Sequence, residues 1–296
     1  MKTIDLQFQG YSKVIATAVL EGPSGIGLVD PGPTSTLHAL ESGLRAIGRQ
    51  LEEVKALLLT HIHLDHAGAS GTLAARLPSL RVYVHQRGAP HMADPTKLME
   101  SAARLYGDRM DELWGEMRPV PSDRLQVLMG GERLDLLGRT LQVAYTPGHA
   151  SHHVSYLDQS SGIAYVGDTA GIRRVSDYIT APTPPPDIDL EAWEPSLKTI
   201  EGWRPSALYL THFGAFTDVS EHLRRFRTVL DAQARRVKAT LEGEGSDQDR
   251  MQRFTDDMRV AVRREMSEED AQSLEMAAPF SQLWQGLARY WRKRAA

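Results

Sequence analysis

Short apolar runs separated by turn-forming clusters dominate the first part of the chain. Ile4 to Gln9, Val14 to Leu20 and Ile26 to Val29 read as β segments, the last ending in Asp30-Pro31-Gly32-Pro33. The period then changes. Leu37, Leu40, Leu44 and Ile47 fall on one helical face between Thr34 and Gly48, with Thr34 or Ser35 as the cap. Val54 to Leu59 is apolar and short enough for a buried strand, and it runs directly into Thr60-His61. Gly68 to Leu77 predicts a helix and Arg81 to His85 a strand, which gives a β-α-β-α-β order.

From Gly88 to Pro121 the pattern is helical and rich in Met, Leu and aromatic residues, as expected of an inserted helical pair. Strand-like runs resume at Leu125 to Leu128, Leu141 to Tyr145, Val154 to Leu157 and Ile163 to Val166. The prolines between Thr180 and Asp187 exclude regular structure there. A helix around Leu190 to Trp203 and a strand at Ala207 to Leu210 follow. From Val219 onward the chain is helical and charged, broken at Gly243-Glu244-Gly245. The boundaries expected are thus a catalytic unit over 1–218, its insertion or lid over 88–121, and a helical extension over 219–296. The stripe of Phe280, Leu283, Trp284, Leu287, Tyr290 and Trp291 would dock the extension on its own chain or on a partner in a homodimer.

Composition narrows the chemistry. A chain of 296 residues with 41% hydrophobic content suits one large α/β domain or two small ones. Zero cysteines leave imidazole and carboxylate as the available strong metal ligands. A net charge of −4 offers no basic field for nucleic acid. No apolar stretch is long enough for a membrane helix, and the start lacks a signal-peptide pattern, so a cytoplasmic protein without membrane contact is expected.

The densest chemical signal is Thr60-His61-Ile62-His63-Leu64-Asp65-His66 at the end of a buried strand. Residues two apart on an extended stretch point the same way, so His61 and His63 can share one ion. Asp65 and His66, where the chain turns into a helix, can face a second ion, and paired ions are a recurrent hydrolytic arrangement. Ligand-type residues also follow three later strands, in Thr146-Pro147-Gly148-His149, Gly167-Asp168-Thr169 and Thr211-His212.

This order of motifs resembles the metallo-β-lactamase superfamily over about the first 215 residues. The resemblance implies an α/β fold, a four-layer αββα sandwich with the site at one edge between two mixed sheets. It implies that His61, His63 and His149 bind one metal, that Asp65, His66 and His212 bind the other, and that Asp168 bridges them. Asp30 matches a further motif and would orient a ligand histidine, the alternative being a turn aspartate before proline. His153 occupies a position where thioester hydrolases of the superfamily often carry histidine, and a supporting role behind the ligands is expected of it. His152 is expected to be a surface or packing residue, and His38, His85, His91 and His222 ordinary histidines.

A set without sulfur suits zinc, taken as the default, with iron or manganese as the other candidates. Two such divalent ions would activate water, with Asp65 as the catalytic carboxylate that holds the hydroxide and moves its proton. Candidate contacts to a small-molecule substrate are Met92, Tyr106 and Trp114 in the insertion and Arg173 and Tyr178 after Asp168. The competing readings are core packing for the insertion and solvated surface positions for Arg173 and Arg174. The absence of cysteine together with the presence of Asp168 favours thioesterase-like, lactonase-like and phosphodiesterase-like members over true β-lactamases. Gly171 stands where lactonases acting on acyl-homoserine lactones often place tyrosine. The function expected is a hydrolase of an ester, thioester or lactone. The alternatives are an iron-dependent sulfur or oxygen oxidoreductase of the same fold, a phosphodiesterase and a β-lactamase.

Overall fold

The computed structural model describes residues 2–174 and 178–295. The first sheet is built from β1 (Lys2–Asp5), β2 (Ala16–Gly22), β3 (Gly25–Val29), β4 (Val54–Leu58), β5 (Arg81–His85) and β6 (Leu125–Leu128), side by side in that order. β1 to β3 are antiparallel and β3 to β6 parallel. The parallel half needs crossovers, which the chain supplies as helices. These are α1 (Leu37–Ala46), then α2 (Leu64–Ala67) and α3 (Ser70–Arg76), then α4 (Ala89–Ala93), α5 (Thr96–Tyr106) and α6 (Met110–Trp114). The expected helical pair over 88–121 is therefore three short helices, because Asp94-Pro95 and Gly107 interrupt the run.

The second sheet consists of β7 (Arg133–Leu136), β8 (Arg139–Tyr145), β9 (Val154–Asp158), β10 (Ile163–Tyr165), β13 (Ala207–Leu210) and β14 (Gly214–Phe216), in the order β14-β13-β10-β9-β8-β7. A two-stranded ribbon joins β11 (Ile172–Arg173) to β12 (Ile179–Thr180). Four strands lie outside the expected set. β7 and β14 are edge strands of four and three residues with little burial, and β11 and β12 are two-residue pairings too brief for any periodicity.

Helices α7 (Leu190–Gly202), α8 (Val219–Glu242), α9 (Asp247–Glu265), α10 (Glu268–Ala277) and α11 (Phe280–Ala295) complete the chain. Three apolar clusters explain the layering. One lies between the sheets, around Leu58, Leu141, Val143, Tyr156, Tyr165 and Tyr209. A second joins the first sheet to its helices, and a third runs from Leu157 and Leu210 through Trp193 and Phe226 to Leu283 and Leu287. The molecule is thus a four-layer αββα sandwich, and burial on both faces of each sheet is what removes enough apolar area from water to hold it.

The apolar stripe of α11 is used within the chain. It packs on α8 and α9, with the Trp284 indole donating to Thr240 Oγ1 at 2.8 Å and the Trp291 indole to the Ala234 carbonyl at 2.9 Å. Among the described residues no helix is long and apolar enough to cross a membrane.

Candidate metal centre

The two sheets are tied together at one edge, and the candidate ligands are gathered there. Val154 N donates to the Thr60 carbonyl and Ala16 N to the Thr211 carbonyl, both at 2.8 Å, and the Tyr156 hydroxyl donates to the Leu59 carbonyl at 2.8 Å. These bonds hold the ends of β4 and β13 against the opposite sheet, and four strand ends meet there. β4 delivers His61 and His63, and α2 carries Asp65 and His66. His149 follows β8, Asp168 follows β10, and His212 follows β13.

Each ring is oriented from behind. The His66 Nδ1–H donates to Asp30 Oδ2 at 2.8 Å, that of His149 to the Pro182 carbonyl at 2.8 Å, and that of His212 to the Val14 carbonyl at 2.6 Å. The Thr60 hydroxyl spends its hydrogen on Asp30 Oδ2 at 2.7 Å, so its oxygen accepts from His61 Nδ1 at 3.1 Å. All four rings therefore turn Nε2 to the centre, where the neutral form offers a lone pair. His63 presents Nδ1 instead.

Those lone pairs meet one another. His61 Nε2, His63 Nδ1 and His149 Nε2 lie 3.0–3.2 Å apart, as do ligands about 2.1 Å from a common cation. Opposite them, His212 Nε2 and His66 Nε2 stand 3.3 and 3.6 Å from Asp65 Oδ2. Asp168 reaches both groups: Oδ2 is 3.5 Å from His149 Nε2, while Oδ1 is 3.4 Å from His66 Nε2 and 3.6 Å from His212 Nε2. Among the described residues, His66 Nε2, His212 Nε2 and Asp168 Oδ1 are buried without a hydrogen-bond partner. Buried lone pairs that face each other unpaired are costly, and cations relieve the cost. The residues present thus fit divalent metal ions.

The electrostatics divide the ligands. Burial lowers His66 and His212, but the Asp65 and Asp168 carboxylates prevail and raise both, so a cation at that group would displace a proton from each ring. Burial pushes His61 far below the ordinary histidine range, His63 down to about 3 and His149 down, which favours the neutral, ligating form. Burial raises the Asp65 carboxyl, but His66 and His212 prevail and hold it at about 2. In Asp168, burial is likewise outweighed, by His66, His212 and His149, and the group stays ionised.

Local sequence explains the precision. Asp30 adopts a positive φ of 51°, which aspartate tolerates better than most residues, and this turns its carboxylate back under the site. Its Oδ1 accepts from Thr60 N at 2.8 Å, and Oδ2 also accepts from Thr211 Oγ1 at 2.7 Å. Gly148, at φ 139°, passes over Trp193 where a Cβ would stand 2.5 Å from the indole, and this close passage sets His149. Thr60, Thr146, Thr169 and Thr211 form the polar floor beneath the ligands, a role the sequence reading did not give them. Their signal was nonetheless in plain view, since Thr60, Thr146 and Thr211 each close a strand just before a motif.

His153 is buried behind His61, with ring centroids 5.1 Å apart and planes 25° off parallel, and its Nδ1 lies 2.9 Å from Thr146 Oγ1 and 3.0 Å from Thr169 Oγ1. His152 packs rather than lying free: its ring stacks 6.1 Å from that of His61. His85 stacks on Tyr145 at 4.5 Å, and His222 donates to the Ala170 carbonyl at 2.8 Å. His91 is half-buried and His38 exposed.

A cleft opens over His63, Asp65, His149 and Asp168, and Tyr106 and Trp114 line it. Three other residues expected at the substrate lie elsewhere. Met92 is buried in the core between the first sheet and its helices, with no place in the cleft wall, because the α4 turn points inward. Arg173 turns away from the site to meet Asp218 at 2.8 Å and the face of Phe216 at 4.4 Å. Tyr178 lines a separate cavity with Arg225, Arg236 and Met258. Arg174 is neither on the surface nor at the site, being buried against the Asp270 and Ser12 carbonyls at 2.8 and 2.9 Å. Unexpected in the cleft wall are Gln282 and Leu283 of α11, which no local motif marks.

The comparisons with known proteins agree with this architecture. The metallo-beta-lactamase fold-containing protein ST1585 of Sulfurisphaera tokodaii is 30% identical over 180 residues, which span 59% of this chain and 67% of that one. The crystal structure of ST1585 superimposes with a TM-score of 0.68 over 97% of both chains, at 21% identity, a likeness of fold. A hydroxyacylglutathione hydrolase of Aeromonas hydrophila is 31% identical over 151 residues, 50% of this chain and 44% of that protein. The structure of TTHA1623 in a di-iron-bound form matches with a TM-score of 0.52 and 28% identity, covering 69% of this chain and 89% of the other. The sequence pattern of the metallo-beta-lactamase superfamily itself matches residues 14–212, the stretch that carries every candidate ligand, and the chain belongs to that superfamily of metallohydrolases.

Proposed function

We propose that this protein holds two divalent ions, zinc by default, and cleaves an ester, thioester or lactone bond of a small substrate. His61, His63 and His149 would hold one ion, and Asp65, His66 and His212 the other, with Asp168 between them. The observation that carries this reading is the pair of Asp168 oxygens, each turned to a different ligand group. Bound there, such ions would supply hydroxide at neutral pH and polarise the carbonyl under attack.

The remaining work falls to side chains. Asp65 is the more open of the two carboxylates, its side chain 21% exposed against 6% for Asp168, and it lines the cleft. It would take the proton from water and pass it to the leaving oxygen or sulfur. Asp30 and the carbonyls of Pro182 and Val14 hold the rings still, so no reorganisation is needed as charge develops.

Metal analysis of Asp168→Asn and His212→Ala tests the ligand assignment, and each is expected to lose metal and turnover. Wild-type metal content and turnover in both variants would overturn it. A panel of chromogenic ester, thioester, lactone, phosphodiester and cephalosporin substrates tests the reaction class.

The second reading is an iron-dependent oxidoreductase acting on sulfur or oxygen, and what supports its metal is that TTHA1623 is known in a di-iron-bound form. Nitrogen and oxygen ligands accept iron as well as zinc. Bound iron with thiol-dependent oxygen uptake, and no hydrolysis across the panel, is the result that would select it.

A further inference from the structure

The cleft has two parts that share one floor. The narrower, of about 100 Å³, rises from His63, Asp65, His149 and Asp168 between Leu98, Ala102 and Leu105 of α5 and Pro184, Pro185 and Leu283. Among the described residues no lysine or arginine lines it. The wider part, of about 430 Å³, shares Asp65, adds His212 and opens past Tyr11, Ile15 and Met276. Its charged residues are already engaged, Arg109 with Glu112 at 3.0 Å and Glu275 with Arg259 at 2.7 Å. Tyr106 and Gln282 line both parts, and the Tyr106 hydroxyl donates to Gln282 Oε1 at 3.2 Å.

A carboxylate at the far end of an acyl chain, beyond the ligand-bearing floor, would be stripped of water there with no lysine or arginine in return. An apolar chain gains there with every methylene buried. We infer that the narrow part is an acyl pocket for a short, uncharged, apolar chain, that the wider part receives the larger alcohol or thiol leaving group, and that the Tyr106–Gln282 pair sets the chain length admitted. This rests on the hydrolase reading above. The carbonyl lies over Asp65, the floor common to both parts. Water adds to the carbonyl carbon, the C–O or C–S bond breaks, and the proton lost by water goes to the leaving group. A carboxylic acid and an alcohol or thiol are released with no further reactant. The glutathione part of a hydroxyacylglutathione, which carries two carboxylates, finds no free cation in either part among the described residues.

The test uses metal-loaded protein and straight-chain thioesters from acetyl to octanoyl, with ω-carboxylated acyl thioesters of matched length. The expected kcat/KM rises about fourfold per methylene until the pocket fills and then falls. The ω-carboxylated substrates run about tenfold or more slower. Gln282→Ala and Tyr106→Phe move the break to other lengths. A flat length profile, equal turnover of carboxylated substrates, or a break left unmoved in both variants overturns the inference. A second readout needs no catalysis: neutral aliphatic amides of rising length are titrated against tryptophan fluorescence, with Trp114→Phe identifying the signal. Length-dependent amide binding without hydrolysis of any substrate sustains the pocket and removes the hydrolase. Hydrolysis without length discrimination does the reverse.

Discussion

Asp30 Oδ2 accepts from His66 Nδ1 at 2.8 Å, and both side chains are wholly buried. The same carboxylate takes Thr60 N, Thr60 Oγ1 and Thr211 Oγ1, so one residue joins the ends of β4 and β13 to a ligand ring. Asp30→Asn puts an amide hydrogen toward donors that already need an acceptor. Metal affinity is expected to fall about 10–100-fold, as when other groups supporting metal ligands are removed. Competition with a chromogenic chelator measures it. Unchanged affinity in a folded variant would show that His66 is oriented without Asp30.

Gly167 precedes Asp168 at φ 45°, and a Cβ there would stand 2.4 Å from Thr60 Oγ1 and 2.8 Å from His153 Nε2. The collision is with the buried floor beneath the ligands, which has little room to shift. Gly167→Ala is expected to cost about 2 kcal/mol or more of stability and to weaken metal binding, since the Asp168 loop must move. Urea unfolding together with metal titration checks both, and a variant equal to wild type in each would refute the packing argument.

Asp158 is fully buried and accepts from Ser160 N at 2.9 Å, Ser160 Oγ at 2.6 Å and Ser161 Oγ at 2.8 Å, beside Arg139. Burial raises its carboxyl, but these hydrogen bonds and Arg139 prevail and depress it. A depressed carboxyl contributes stability that is present above its unfolded value, about 3.9, and lost as pH falls through its folded value. Asp158→Asn is therefore expected to destabilise by about 1–2 kcal/mol at neutral pH through loss of the ionised acceptor, with the gap to wild type narrowing below about pH 4. Denaturant midpoints across that range decide it, and a gap independent of pH would contradict the assignment.

Local spacing made part of the site legible. His61, His63, Asp65 and His66 lie in one short segment, where covalent geometry alone limits how they can point. His149, Asp168 and His212 were legible as ligand-type residues after strands, and their union with the first four rested on the order of motifs. The core strands of both sheets were legible because buried strands are apolar runs. The edge strands β7 and β14 were not, since an edge needs little burial.

Substrate contacts followed a different logic. Met92, Tyr106 and Trp114 share one apolar stretch, yet only the last two reach the cleft, because the turn of each short helix decides which face looks inward. Arg173 sits five residues after Asp168 but is drawn to Asp218, a partner whose proximity depends on how α8 packs. Gln282 reaches the cleft from α11 for the same kind of reason.

The sequence by itself determined the order of the main strands and helices and the residues equipped to bind metal, because both follow from periodicity and from chemistry carried within single segments, whereas the layering was implied by the family resemblance. Tertiary structure alone decided that seven side chains from four strand ends converge in overlapping groups, that Asp30 stands behind His66, and which walls close the cleft. Those relations join residues far apart in the chain, and only the packing of two sheets and their helices fixes the distances between them.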